Sequence, residues 1–402
     1  MAKVYFPTRE QVLAITNPLD RRVRKLEGFV RTFAQLKQII NEKVAETGKT
    51  DEVKIAELKD DLVGVEIPDR WANTGGTVYE DPMIVVNIGK FKGEDEELHI
   101  GAMLMRKYAC AETVVFDAAE TEETTDTVAD GVHFYYGLAE GKTSPTAADL
   151  TYLFDTKSED GVRINTPWAE GTPLGGPFSK IYKNAIGDHT KNIIQYGYNN
   201  WKVSAYRQYL NSDVAKGTSW WDKDFAWDVA TFGHRVGNMA PSNATTLRGY
   251  KCGCTGFDAS HPEGLLKYVK PVYIKTWKNY VTDGATSGYR AEDVYETLDT
   301  FFLPSGADMY GDVNLTGTPK AGVESELSPY FKAATGLGAP GNSQNAGRIR
   351  YAETNKSVGT VVRLRSAYRG YSYNAWTSSI TGSVSNSTAN RAYASVPACV
   401  IY

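Results

Sequence analysis

The groups able to do covalent, acid–base or metal chemistry are scattered along this chain. It has 402 residues, with four cysteines and five histidines, and only Cys252-Gly253-Cys254 brings two cysteines together. A single intervening residue is tight for a disulfide, and zinc would need two further ligands, for which His261 is the one neighbour while Cys110 lies far off. Cys399 sits in the apolar run Val396-Pro397-Ala398-Cys399-Val400-Ile401, with no histidine or basic residue beside it in sequence to stabilise a thiolate. His234, in Phe232-Gly233-His234-Arg235, has no second histidine or carboxylate at ligand spacing. The acidic, threonine-rich stretch from Ala118 to Asp130 lacks the ligand order and glycine turn of a calcium loop and reads as solvated. The expectation is a protein that is not an enzyme and carries no metal or cofactor.

Non-covalent recognition is better served. From Ser357 to Tyr402 there is no Lys, Asp, Glu, Gln or His, in a chain that is 23% charged. The run from Arg365 to Ser395, RSAYRGYSYNAWTSSITGSVSNSTANRAYAS, is built almost wholly of Tyr, Ser, Asn, Thr, Ala, Gly and Arg. Antibody paratopes use this alphabet, in which Tyr gives rigid amphipathic contact area and Ser, Gly and Asn give adaptable hydrogen bonding. A polar β-rich surface or a low-complexity tail has a similar composition. Disordered tails lack aromatic and β-branched residues, whereas this run has Tyr368, Tyr371, Tyr373, Trp376 and Tyr393 and closes on an apolar, strand-like end. The pattern is one of loops pinned between core strands.

Such loops need a frame. The length allows two or three domains, or one large domain with insertions. A formal charge of −4 argues against a general nucleic-acid binder, which needs clustered Lys and Arg. No window of eighteen apolar residues occurs and the start has no secretion signal, so no membrane insertion is expected. Near Asp20 a helix is expected to begin, with Val23, Leu26, Val30, Phe33, Ile40 and Val44 at alternating three- and four-residue steps, Lys37 in one apolar slot, and Phe29, Leu36 and Ile39 widening the stripe. That spacing fits a short coiled-coil seam, and equally an amphipathic helix lying on its own domain. Ile55, Leu58, Leu62 and Val65 mark a second helix, ended by Ile67-Pro68. Residues 1–70 are therefore expected to form a helical attachment or oligomerisation region, and 71–402 the main domain.

Strands are expected at 83–88, 111–116, 132–138, 150–154 and 269–276, and a helix within 192–212 that puts Trp201, Ala205, Tyr209 and Leu210 on one face, with Asn199 or Asn200 as its cap. Trp220, Trp221, Phe225 and Trp227 read as packing. The stretch 319–341, with Gly336, Gly338 and Gly341, reads as a linker.

Three segments in order, GYNNWKVSAYRQYLNS at 197–212, YETLDTFFLPSGADMYG at 295–311, and VVRLRSAYRGYSYNAW with a terminal SVPACVI, resemble the C-type-lectin fold in its formylglycine-generating-enzyme-like branch. More narrowly, they resemble phage and bacterial variable proteins diversified by retroelements. The resemblance covers roughly residues 75–402 and implies an α+β fold, a C-type lectin-like domain with insertions, whose segment 363–402 carries the variable ligand-binding region. It further implies that a reverse transcriptase copies a template with errors at adenines, so that Asn codons reach Tyr, Ser, Asp, Gly, Thr, Ala, Ile, Val, His or Arg. Residues 368–395 keep to that set except for Trp376.

On this resemblance the constant scaffold comprises Arg365, Ser366, Ala367, Ala375, Trp376, Gly382, Val384, Ala389, Val396, Pro397 and Ala398. The implied variable positions begin with Tyr368, Arg369, Gly370, Tyr371, Ser372, Tyr373 and Asn374. They continue with Thr377, Ser378, Ser379, Ile380, Thr381, Ser383, Ser385, Asn386, Ser387 and Thr388, and end with Asn390, Arg391, Ala392, Tyr393 and Ser395. The implied partners are a host cell-surface protein or glycan and, through the N-terminal region, other virion proteins, in a homotrimer that acts from the virion after synthesis in the bacterial cytoplasm. A virion decoration or assembly protein and an enzyme of the formylglycine-generating group are the alternatives. Calcium-dependent sugar binding is not expected, because Glu-Pro-Asn, Gln-Pro-Asp and Trp-Asn-Asp ligand sets are missing and the terminal run has no carboxylate side chain.

Overall fold

The computed structural model describes residues 30–118, 197, 199–222, 240–255, 264–277, 294–311, 324–335, 346–368 and 374–402. Helix α1 (Phe33–Ala45) starts at a capping box in which the Thr32 hydroxyl accepts from the Gln35 N–H and the Gln35 side chain accepts in return from the Thr32 N–H. Helix α2 (Asp51–Leu62) carries Asp51 and Glu52 in its first turn, where the helix dipole favours anions. The two helices are clasped by Glu57, which takes Lys43 at 2.8 Å and Lys49 at 2.7 Å, and the Lys54 ammonium donates to the Val44 carbonyl at 2.7 Å at the end of α1.

The next strands are β1 (Glu66–Ile67), β2 (Arg70–Ala72), β3 (Val78–Glu80), β4 (Met83–Gly93), β5 (Leu98–Arg106) and β6 (Val114–Val115). Helices α3 (Ala205–Asn211) and α4 (Tyr250–Thr255) precede strands β7 (Val269–Lys270), β8 (Val272–Trp277) and β9 (Val294–Asp299). After α5 (Gly306–Tyr310) and α6 (Pro329–Thr335) come β10 (Arg350–Ala352), β11 (Asn355–Thr360), β12 (Val362–Ala367), β13 (Asn374–Ser378), β14 (Val384–Thr388), β15 (Ala392–Tyr393) and β16 (Ala398–Ile401). The described chain is thus mixed α+β and mostly antiparallel sheet.

The main sheet runs β7-β16-β5-β4-β8-β9, with β1 also paired to β4. Its longest strand, β4, pairs with β5 along most of its length, with β1 at Met83 and Ile84, and with β8 at Lys92 and Gly93. The last strand of the chain lies inside this sheet: β16 pairs with β5 from Ala398↔Met105 to Ile401↔Ala102, and with β7 on its other side. Ala398, Cys399, Val400 and Ile401 are all fully buried. Because β16 is anchored in the core, the preceding thirty-odd residues are tethered at both ends. A second sheet, β12-β13-β14, is made entirely from them.

Several sequence expectations change. Of the expected seam, Val30, Phe33 and Ile40 are buried in the same core as Ile84 and Leu104, and Val44 stays 43% exposed. The apolar stripe is therefore used against the chain's own sheet. The boundary at residue 70 is likewise bridged, since Leu58, Leu62 and Ile67 share the core with Met83 and β1 pairs with β4. The helix expected within 192–212 is broken in two: the Asn200 side chain caps a 3-10 turn, Trp201–Val203, and the Ser204 hydroxyl accepts from the Arg207 N–H to start α3. Its face is as expected, with Trp201, Ala205, Tyr209 and Leu210 buried. The strand expected at 111–116 shrinks to β6. The linker reading of 319–341 fails where it is described, because Glu324 is buried and Phe331 of α6 is in the core. Val23, Leu26, Phe29, the stretches 119–130, 132–138 and 150–154, Phe225, Trp227, His234, His261, Gly336, Gly338 and Gly341 lie outside the described residues.

Candidate ligand-binding face

Three segments far apart in sequence are tied beneath the β12-β13-β14 sheet. Asp299, at the end of β9, accepts from the Trp201 indole N–H at 3.0 Å, from Arg207 at 2.6 Å and from the Thr297 hydroxyl at 2.7 Å. The Asn211 side chain accepts from the Thr300 and Phe301 N–H groups and donates to the Phe301 carbonyl. These bonds join 197–212 to 294–311. The second join is to the terminal run: buried Arg365 donates to Asp308 at 2.9 Å and to the Leu303 carbonyl at 2.8 Å. Ser366 donates to Glu324 and accepts from the Gly306 N–H at 2.8 Å, and Glu324 also accepts from the Trp277 N–H. Buried charges held in this way are satisfied from several sides, the condition under which they can be accommodated.

Arg363 is the residue that sequence reading missed. It is fully buried, and among the described residues no carboxylate pairs with it. Its guanidinium donates to the carbonyls of Ala375 and Ser387 at 3.1 Å, Thr388 at 2.9 Å and Arg391 at 3.0 Å. The ring of Tyr393 lies 4.8 Å from it. Burial lowers its pKa to about 10, so it stays charged at neutral pH. An arginine between valines and leucines in sequence looks like an outward residue of a strand. Only the fold shows that it lies under one.

Other frame residues also reach the run through its backbone. The Asn199 amide donates to the carbonyls of Tyr368 at 3.2 Å and Asn374 at 2.5 Å, closing the neck between the ends of β12 and β13. The Tyr310 hydroxyl bonds the Gly382 carbonyl at 2.9 Å and the Ser378 hydroxyl at 2.7 Å. Tyr206 donates to the Tyr393 carbonyl at 2.9 Å, and the Phe116 N–H to the Ala389 carbonyl at 2.8 Å. Gly197 has a φ of 77°, and a Cβ there would stand 2.8 Å from the Asp117 carbonyl and 3.2 Å from the Ala389 methyl.

The expected scaffold lies inside: Arg365, Ser366, Ala367, Ala375, Trp376, Gly382, Ala389, Val396, Pro397 and Ala398 are buried, and Val384 is half-buried. Gly382 adopts a φ of 77° in the β13–β14 turn. Among the expected variable positions, Ile380, Thr381, Ser385, Asn386, Arg391 and Ala392 are exposed. Tyr368, Asn374, Ser379, Ser383, Ser387, Thr388, Asn390 and Tyr393 are half-buried. Tyr368 meets Trp376 edge-on at 4.9 Å. The outward side chains bond one another: Asn374 to Asn386 at 2.8 Å, Tyr393 to Ser387 at 3.0 Å, Ser379 to Ser383 at 2.7 Å.

Thr377, Ser378 and Ser395 were expected on this face and are instead buried. Thr377 and Ser378 belong to β13, the central strand, and Tyr310 holds Ser378 from below, while the Ser395 carbonyl accepts from the Cys110 N–H. Arg369, Gly370, Tyr371, Ser372 and Tyr373 lie outside the described residues.

Three of the cysteines are accounted for by packing. Cys110, Cys254 and Cys399 are buried free thiols, and burial pushes them well up, away from the reactive thiolate. The glycine of Cys252-Gly253-Cys254 is required by close approach: a Cβ there would fall 2.5 Å from the Trp71 indole nitrogen and 2.6 Å from the Ala72 carbonyl.

No curated protein and no solved structure matches the chain. A family described as a domain of unknown function, DUF6273, matches residues 179–402, a span that contains all three tied segments and more than half the chain, and the chain belongs to that family.

Proposed function

We propose that this is a phage structural protein, a fibre or receptor-binding protein, whose C-type-lectin-like domain displays a hypervariable face for a host cell-surface protein or glycan. One observation carries the reading. The frame grips the terminal run largely by main-chain atoms, with Arg363, Asn199, Tyr310, Tyr206 and Phe116 all bonded to its carbonyls. Carbonyls do not change when side chains do, so Ser387, Thr388, Arg391 or Tyr393 can be exchanged while the grip persists. A binding face diversified on a constant scaffold needs that property.

The exposed and half-buried set also suits recognition without an ion. It offers hydroxyl, amide, tyrosine and arginine groups, and no carboxylate lies between Ser357 and Tyr402. Sequencing the 3′ end of the gene in many isolates tests the proposal. Changes traceable to adenines in the template, concentrated at the exposed and half-buried positions of 368–393, are expected. Substitutions spread evenly along the gene would refute it.

A further inference from the structure

The chain has a net charge of −4, yet the stretch from Ser357 to Tyr402 carries Arg363, Arg365, Arg369 and Arg391 and no acidic side chain. Elsewhere arginines drawn into the structure meet carboxylates: Arg106 meets Asp69 and Glu353, Arg207 meets Asp299, and Arg365 meets Asp308. Two buried arginines around the β12-β13-β14 sheet do not. Arg363 donates to the carbonyls of Ala375, Ser387, Thr388 and Arg391. Arg350, buried in β10, donates to the carbonyls of Gly347 and Arg348 and lies 5.4 Å from the Phe331 ring. Among the described residues no carboxylate pairs with either. The hairpin that carries Arg350 abuts the face, since Arg350 pairs with Thr360 of β11 and a Cβ on the adjacent Gly359 would collide with the Ile380 carbonyl in the β13–β14 turn.

Carbonyl dipoles satisfy the hydrogens of a guanidinium but bring no net charge, so each of these residues leaves a positive charge uncancelled beside the sheet. Arg363 lies one side chain below the surface, because the half-buried Tyr393 ring is 4.8 Å from it. That depth is well within the Debye length of about 10 Å at 0.1 M salt. Tyr393 registers the field. Burial raises a phenol, as it does for Tyr206 and Tyr310 beneath the same sheet; in Tyr393 burial is outweighed by bonds to Ser387 and Arg391 and by the charges of Arg363 and Arg391, and its pKa falls below the ordinary value. Neither Arg363 nor Arg350 belongs to the exchangeable set, so the field persists whichever residues occupy the outer positions.

We infer that the face takes an anionic polysaccharide, whose carboxylate or phosphate groups settle on this fixed positive field while its hydroxyls meet the Ser, Thr, Asn and Tyr groups around it. The inference rests on the face being the binding site, and it narrows the ligand from a cell-surface protein or glycan to an acidic glycan. Nucleic acid would need a stripe of exposed Lys and Arg, whereas Arg391 is the one exposed cation among the described residues of 357–402. An acidic protein segment would leave the hydroxyl and amide groups of the face with few partners.

The test is binding of the full chain to immobilised polygalacturonate and its methyl ester, to phosphorylated and unmodified dextran, to polyglutamate and to single-stranded DNA. The expected result is affinity at least about tenfold higher for one charged sugar polymer than for its neutral parent, falling about tenfold between about 50 and 500 mM salt. The carboxylate and phosphate arms tell the two anions apart. Ser385→Glu and Ala392→Glu, both at exposed positions of the face, should weaken binding, and Thr47→Glu between α1 and α2 should not. Arg391→Ser should keep the preference for the charged polymer, because the frame supplies it. Equal binding to charged and neutral sugars, binding to neither charged sugar, tighter binding to polyglutamate or DNA, or loss of the preference in Arg391→Ser overturns the inference. Any of these together with adenine-linked changes clustered at 368–393 would leave the diversified face standing and remove only its anionic ligand.

Discussion

The Arg363 guanidinium donates to the carbonyl of Thr388, 25 residues later, at 2.9 Å, while the Thr388 hydroxyl turns away to Asn390 at 2.8 Å. One residue thus meets the frame through its backbone and the outer surface through its side chain. The same division runs through β13, β14 and the turn that follows.

Removing Arg363 should be costly. Arg363→Met removes the guanidinium that donates to the carbonyls of Ala375, Ser387, Thr388 and Arg391, and the loss is expected to be on the order of 3 kcal/mol. Arg363→Lys should recover little of it, because one ammonium cannot replace a planar fork that reaches four acceptors. Urea unfolding monitored by tryptophan fluorescence would give both values. A change below about 0.5 kcal/mol, the range of ordinary surface substitutions, would show that Arg363 does not hold the sheet.

Asn199 closes the neck by donating to the carbonyls of Tyr368 and Asn374. Asn199→Asp is nearly isosteric but places an acceptor against the carbonyls of Tyr368 and Asn374, so it should destabilise more than Asn199→Ala, by roughly 1–3 kcal/mol in all. The Tyr368 N–H, which bonds the Asn374 carbonyl at 2.9 Å, should then exchange faster with solvent. Equal stability and unchanged exchange in the two variants would remove the neck-closing role.

Stability should fall as pH rises through the neutral range. Asp69 and Glu353 flank buried Arg106, at 3.3 and 3.8 Å, and burial raises their carboxyls from 3.8 to about 6 and from 4.5 to about 7, with Arg106 opposing the shift. The folded state therefore binds these protons more tightly than the unfolded state. Their contribution is fully present below about pH 4 and is lost as pH rises through about 6 and then 7. Asp69→Asn with Glu353→Gln should flatten the dependence of the urea midpoint between pH 5 and 8. A slope unchanged by the double substitution would assign it to other groups.

What could be read in the sequence was what side-chain chemistry announces. Trp376 and the apolar strand at Ala398–Ile401 are legible as core because large or continuous apolar residues rarely stay in water. Burial of Thr377, Ser378 and Ser395 was not legible, since small hydroxyl side chains look alike inside and outside a sheet. The spacing of Val30, Phe33 and Ile40 shows an apolar stripe but not what covers it, because a partner helix and the chain's own sheet call for nearly the same periodicity. Helix α6 was hidden by surrounding glycines and prolines, although Phe331 is buried in the core. Arg363 was hidden most fully, because its partners are backbone atoms brought together only by the fold.

The central claim is that the terminal run separates into a buried frame and an exchangeable outer set. The most direct measurement is a library in which every position from 365 to 395 is varied one at a time, with each variant scored for folding by protease resistance on the cell surface. Tolerance is predicted to follow exposure: Thr381, Ser385, Asn386, Arg391 and Ala392 should accept most residues, while Arg365, Ser366, Trp376, Gly382 and Ala389 accept almost none. Equal tolerance at the two sets, or intolerance at Ser385 and Asn386, would contradict the account.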